Sequence, residues 1–189
     1  ASIAIGSGWG NSARAHTNFS IAIGDQSDAI GEAAIALGRQ AKTKGEQAAV
    51  AIGNQTEANA AHSTAVGSGT HTEAKYAAAF GFQSKATKEY ATAIGSGAQG
   101  EGEDSQAIGR QAKTTGYRAV AVGTLANALK NSAIAVGEYT VADGTNSIAM
   151  GKSSKAHSFD AIAIGHNNNS RTYSAISIGT DNTSDVAYG

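Results

Sequence analysis

The sequence predicts an all-β protein, a two-sheet parallel β-solenoid that adds one coil about every fourteen residues. Three observations predict it. A four-residue block, two large apolar residues around an alanine and then a glycine, recurs along the chain. It reads Ile21-Ala22-Ile23-Gly24, Ile35-Ala36-Leu37-Gly38, Val50-Ala51-Ile52-Gly53 and so on to Ile176-Ser177-Ile178-Gly179. From Gly53 onward the anchoring glycines fall at 67, 81, 95, 109, 123, 137, 151, 165 and 179, every spacing being fourteen. Finally, the apolar residues alternate with period two over short runs, and no stretch shows the 3.6 period of a helix. A fixed short period means one small unit stacked on copies of itself.

Each repeat is numbered here from its glycine. Positions +10 to +13 read Ser or Ala, a variable apolar residue, Ala, then a bulky apolar residue: Ile94, Ile108, Val122 and Val136 occupy +13 in four successive repeats. That alternation is a short strand buried on both faces. A second alternation follows the glycine, with small residues at +3 and +5 (Ala41 and Thr43, Ser84 and Ala86, Ala112 and Thr114, Ser154 and Ala156). Lysines lie between them at +4, which predicts a strand with one small inward face and one solvated face. Two strands and two turns fill fourteen residues, the glycine standing where positive φ is needed. On this reading the large +11 and +13 side chains face the small +3 and +5 residues across a sheet spacing of about 10 Å. The Ser and Ala of +10 and +12 are then left as an uncharged outer face, too apolar for water along its whole length and shaped for self-association around an axis. The array spans 1–189 as a single domain of about thirteen coils, with the final coil, 180–189, incomplete.

Composition narrows the function classes. The chain has 24 Gly, no Pro, no Cys and one Trp, and its formal net charge is -1. Leu, Ile, Val and Phe total only 29 of 189 residues, yet they are strictly periodic and the net charge is small, so the chain reads as thin-cored and not disordered. Near-neutrality argues against a nucleic-acid partner. No apolar run approaches the roughly 20 residues of a membrane-spanning helix. The chain opens in mid-repeat at Ala1-Ser2-Ile3-Ala4-Ile5-Gly6, which reads as a piece of something longer.

Catalytic and metal chemistry find no foothold in the pattern. His16, His62, His71, His157 and His166 occupy unrelated repeat positions, without zinc-ligand spacing or a cysteine to join them. Gly95-Ser96-Gly97-Ala98-Gln99-Gly100 matches a dinucleotide fingerprint in letters, but it continues the coil pattern and opens no helix. Glu101-Gly102-Glu103-Asp104 reads as a solvated acidic turn in preference to a weak calcium site, because no rigid ligand loop surrounds it. Thr70-His71-Thr72 is a single Thr-x-Thr instance whose threonines should point inward, not an ice-binding array. The expectation is therefore no enzyme, no cofactor and no metal.

Departures from the period mark candidate specificity. Ser7-Gly8-Trp9-Gly10 is a four-residue insertion with the only tryptophan, read as a cap on the first coil in preference to a ligand anchor. Residues 44–47 hold a one-residue insertion that bulges one turn, and Asn167-Asn168-Asn169 forms a polar patch. Where +11 weakens to Ala78 and Thr92, Tyr76 and Tyr90 appear at +9. Either the rings replace lost aliphatic volume or they are exposed turn aromatics.

Thr145-Asn146-Ser147-Ile148-Ala149-Met150-Gly151-Lys152-Ser153-Ser154 closely resembles the Asn-Ser-Val-Ala-Ile-Gly-x-x-Ser signature of YadA-like head repeats, found in trimeric autotransporter adhesins. Asn131 to Gly137 and Asp160 to Gly165 are looser copies, and the resemblance covers nearly the whole chain. It implies a left-handed parallel β-roll assembled as a homotrimer. It also implies a coiled-coil stalk and a β-barrel anchor in a Gram-negative outer membrane, of which this chain would be the exposed head. The function it implies is multivalent adhesion to host extracellular-matrix proteins or cell-surface receptors. A structural spacer that holds another tip away from the cell is the alternative. The candidate ligand-binding residues are the +4 lysines Lys42, Lys85, Lys113 and Lys155 and the +8 aromatics Tyr117, Phe159 and Tyr173. Parallel stacking would repeat these positions in register at about 4.8 Å per coil.

Overall fold

The computed structural model describes residues 1–6 and 12–185, so Trp9 and its insertion lie outside the described residues. The chain forms two compact units, 1–97 and 98–189. Both are parallel β-solenoids, and all regular structure among the described residues is β. Strands of three residues, or five at Ile162–His166 and Ile176–Thr180, here called A strands, carry the large-Ala-large block. Two-residue B strands carry positions +4 and +5. In the first unit the A strands Ile21–Ile23 and Ile35–Leu37 pair in parallel with Ile21↔Ile35, Ala22↔Ala36 and Ile23↔Leu37, while the B strands Lys42–Thr43 and Glu57–Ala58 pair as Lys42↔Glu57 and Thr43↔Ala58. In the second unit the A strands Val120–Val122 and Ile134–Val136 do the same. Each sheet thus joins one coil to the next at the same repeat position. The insertion does not break this register: Leu37 still pairs with Ile52, and the extra residue is taken up in the following turn, where Glu32 bridges Gln47.

The structure reverses the predicted faces. Ala22, Ala36, Ala51 and their +12 equivalents through Ala163 are wholly buried, as are +10 residues such as Ser20, Ala34 and Ala119. Together with +3 and +5 (Ser27, Ala29, Thr70, Thr72) they form the interior, whose clusters are entirely alanine apart from buried Ser, Thr and one Asn. Thr70 and Thr72 do point inward, as expected. The large residues at +11 and +13 point out of the roll. Ile94 is 40% exposed, Met150 39% and Ile178 63%, and Ile21, Ile35, Val50 and Val120 are half-buried. The physical reason is width. Strands of two and three residues joined by tight turns enclose a slot whose largest fully buried side chains are Asn168 and threonines, and a row of isoleucines would not pack there without strain. The small face is therefore the core, not the axis of self-association.

Several buried serines close their own turns. Ser27 Oγ donates to the Gly24 carbonyl at 2.9 Å and Ser105 Oγ to that of Gly102 at 2.7 Å, each three residues upstream. Such partners let a polar residue occupy the slot at little cost. Each coil also has two left-handed residues that are mostly not glycine, at +2 (Gln40, φ 58; Gln111, φ 56) and at +9 (Tyr76, φ 59; Ser132, φ 56). This conformation costs about 1–2 kcal/mol for such residues, and it lets the amide reach the turn carbonyl of the coil before, as Gln55 N does to Arg39 O at 2.9 Å. The anchoring glycine has a different need. A Cβ on Gly24, at φ +127, would stand 2.5 Å from the Gly38 carbonyl oxygen one coil on.

Candidate binding surface

Three surfaces are open for contact: the outward face of the A strands, the outward face of the B strands, and the turns between them. The A face is aliphatic, for the reason just given. The B face is an in-register row of polar residues, interrupted by Val141. In the first unit it runs Arg14, Asp28, Lys42, Glu57, His71, Lys85. In the second it runs Gln99, Lys113, Asn127, Val141, Lys155, Asn169, Thr183. Successive coils of the first unit thus tend to alternate in sign, and the pairing is visible in contacts across coils. Arg14 Nη2 and His16 Nε2 meet Asp28 at 3.5 and 2.6 Å, and Lys44 Nζ meets Glu57 at 3.6 Å. His71 lies 3.5 Å from Glu57 and 3.1 Å from Glu73, and Lys113 Nζ lies 3.1 Å from Glu101. Burial alone would raise the Glu57 carboxyl. The Asn59 hydrogen bond and the positive field of Lys44, His71 and Lys42 outweigh it, so its pKa lies below the ordinary value.

The predicted lysines therefore occupy one kind of position but are not neighbours. Lys42 sits between Asp28 and Glu57 in the row, and Lys113 is tied to Glu101, whereas Lys85 and Lys155 are exposed. Of the predicted aromatics, Phe159 and Tyr173 come together, stacked with centroids 5.4 Å apart. Tyr117 stands separately, three coils from Phe159, with the Arg118 guanidinium 4.7 Å from its ring centroid. Its backbone nitrogen donates to Asn131 Oδ1 at 3.1 Å.

A longer aromatic column lies in the first unit at +9. His62, Tyr76 and Tyr90 stack in sequence at 5.2 and 5.0 Å, within 6° of parallel. Tyr76 and Tyr90 are 48% and 53% exposed, so they are turn aromatics and do not replace lost aliphatic volume in the interior. The signal that could have found His62 was its shared repeat position with these two tyrosines. In the other turn, glutamines at +2 form an amide ladder: Gln40 Nε2 donates to Gln26 Oε1 at 3.0 Å and Gln55 Nε2 to Gln40 Oε1 at 3.2 Å.

The asparagine patch is only partly a surface. Asn168 is wholly buried, its amide nitrogen donating to the carbonyls of Ile164 at 2.6 Å and Gly179 at 2.5 Å. Asn167 is exposed and donates to Asp181 at 2.7 Å. The acidic turn is similarly engaged, Glu101 with Lys113 and Asp104 with Arg118. Among the described residues no group of three His, Asp or Glu side chains is disposed to hold a metal ion, and no helix is long and apolar enough to cross a membrane.

Comparison with known proteins agrees with this architecture. A family model described as the YadA head domain repeat matches residues 10–27, 29–49, 47–70, 73–98, 101–126, 128–154 and 156–182. Among solved structures, the chain is similar to the collagen-binding domain of the Yersinia adhesin YadA. The TM-score is 0.55 and the identity 26%, over 74% of this chain and 70% of that one. No curated protein matches the sequence.

Proposed function

The chain belongs to the family of YadA head domain repeats, and from that premise we propose that it is the head of a bacterial surface adhesin. On this reading it binds host extracellular-matrix proteins or cell-surface receptors without catalysis. The observation that carries the reading is the repeat match across almost the whole array, joined to the structural likeness to a collagen-binding domain. A matrix protein is then the first ligand to test. Outward positions recur in register every coil, so a fibrous partner meets the same chemistry repeatedly and weak contacts add. The +4 lysines and the aromatics Tyr117, Phe159 and Tyr173 are the candidate contacts, with the His62 to Tyr90 column added to them.

The working unit is a homotrimer on a cell surface. Its contact face is the aliphatic side of the A strands and not the Ala and Ser rows, which are inside each roll. In the second unit this face presents Val120, Ile134, Ile148 and Ile162 in one row and Ile108, Val122 and Val136 in the next. An apolar face of that extent stays in water only if covered, and three identical chains around an axis can cover it. The test is sedimentation of the purified chain with binding to collagens, fibronectin, laminin and receptor ectodomains. A trimer that binds at least one matrix protein is expected, with Val122→Asp giving a folded monomer of much weaker binding. A stable wild-type monomer would overturn the trimer, and a trimer with no affinity for any of these ligands would overturn the adhesin reading in favour of a spacer.

A further inference from the structure

The one-residue insertion at 44–47 does more than bulge a turn. It opens a cleft of about 310 Å3 in the first unit, across three successive coils. Ala60 and Ala61 line its centre, with Lys44, Gly45 and Glu46 from the coil before and Lys75 from the coil after. At +8, where Ala61 sits, the next two coils carry Lys75 and Glu89. The extra residue on one side and two methyl groups in the middle together make the surface concave. The volume lies at the small end of the roughly 300–1,000 Å3 range of small-molecule sites.

The chemistry lining the cleft is incomplete in the free chain. Lys75 is exposed and makes no ion pair among the described residues. Lys44 meets only Glu57, at 3.6 Å, and remains half-exposed. Asn59, also in the lining, donates its amide nitrogen to Glu57 Oε2 at 3.3 Å, whereas its oxygen is shut off from water with no partner.

We propose that this cleft binds one acidic sugar residue, a pyranose carrying a carboxylate or a sulfate, as part of a glycan. The anion meets Lys75 and Lys44 from opposite walls, and the apolar underside of the ring lies on Ala60 and Ala61. A bare anion would use the lysines but leave the alanines uncovered. Glu46 on the rim adds an acceptor for a further hydroxyl and disfavours a ligand with several adjacent negative charges. Tyr76 follows Lys75 in the chain, so the edges of the His62–Tyr76–Tyr90 stack lie where the glycan would continue. The assignment goes beyond matrix binding and does not depend on it.

Titration of the whole chain, followed by amide chemical shifts, tests it with methyl glucuronide, a 6-sulfated N-acetylglucosamine, methyl glucoside and inorganic sulfate. At least one of the two acidic sugars should bind with an affinity on the order of millimolar, at least tenfold tighter than methyl glucoside or inorganic sulfate, and which one binds decides between carboxylate and sulfate. The double variant Lys44→Gln, Lys75→Gln and the single variant Ala61→Leu should each weaken that binding at least tenfold. The control Lys130→Gln, in the second unit, should leave it unchanged. Equal binding of inorganic sulfate, binding undiminished in the lysine pair variant, or no binding of either acidic sugar overturns the proposal. Matrix-protein binding that persists in the lysine variant separates failure here from failure of the adhesin reading.

Discussion

In each unit the two outward surfaces have opposite characters, although both belong to strands with the same fourteen-residue period. The A face presents Ile, Val, Leu, Phe and Met with almost no charge; the B face presents Arg, Asp, Lys, Glu and His that pair from coil to coil. Neither face holds the roll together by filling its inside, because alanine, serine and threonine do that. Stability within a chain therefore comes from backbone ladders and a methyl-lined slot. The A face contributes only when it is covered, and the B face contributes mainly by making a one-coil slip unfavourable. The in-register row of Asp28, Lys42 and Glu57 gains a like-charge contact if one coil is skipped, since Asp28 would then meet Glu57.

The sharpest break of that comparison is at the interior, which both faces share. Ala121 is wholly buried between Ala107 and Ala135 in the row. Ala121→Leu should cost about 3 kcal/mol or more by overpacking, enough to leave much of the chain unfolded in denaturant melts at ambient temperature. A melt within about 0.5 kcal/mol of wild type would mean that the slot is wider than the structure shows.

How much of this was legible in the sequence follows from what a period can and cannot say. The repeat gave the coil, the parallel register and the inward threonines at 70 and 72, since these depend only on spacing. It could not say which face of an A strand is inside, because a period of two is satisfied equally by either choice. The usual preference for large apolar residues in cores then selected the wrong side. What decides the matter is the width of a fourteen-residue coil, a property of closed backbone geometry and not of any single residue. Tyr76 and Tyr90 left two readings for a related reason: neither tyrosine advertises a left-handed turn as glycine or asparagine would. The insertion at 44–47 was visible, but its cleft depends on Ala60 and Ala61 in the next coil.

The next break falls on the A face. Ile108 is half-buried in a single chain, so Ile108→Ala should cost little at protein concentrations where the chains are separate. Where they are assembled, the same truncation should cost about 2–5 kcal/mol per chain, as for a buried aliphatic residue. The melting temperature of wild type should accordingly rise with protein concentration, and that of the variant much less. Curves for both proteins that do not move with concentration would show that the A face is not an interface.

The smallest effect is on the B face, and pH exposes it. Glu57 has its pKa held below the ordinary 4.5 by Asn59, Lys44, His71 and Lys42, against the opposing pull of burial. A carboxyl whose pKa is lower in the folded than in the unfolded chain binds fewer protons when folded. It therefore adds stability above about the unfolded value, and that stability disappears as pH falls through the folded one. Glu57→Gln removes the charge at every pH. Wild type should thus melt slightly higher than Glu57→Gln at neutral pH, and the margin should close below pH 4.5. Because the side chain is a third exposed, solvent screening keeps the margin small, and 0.5 M salt should shrink it further. A margin that widened on acidification would mean that the carboxyl is destabilised by its surroundings, and the alternating row could then no longer be read as a register device.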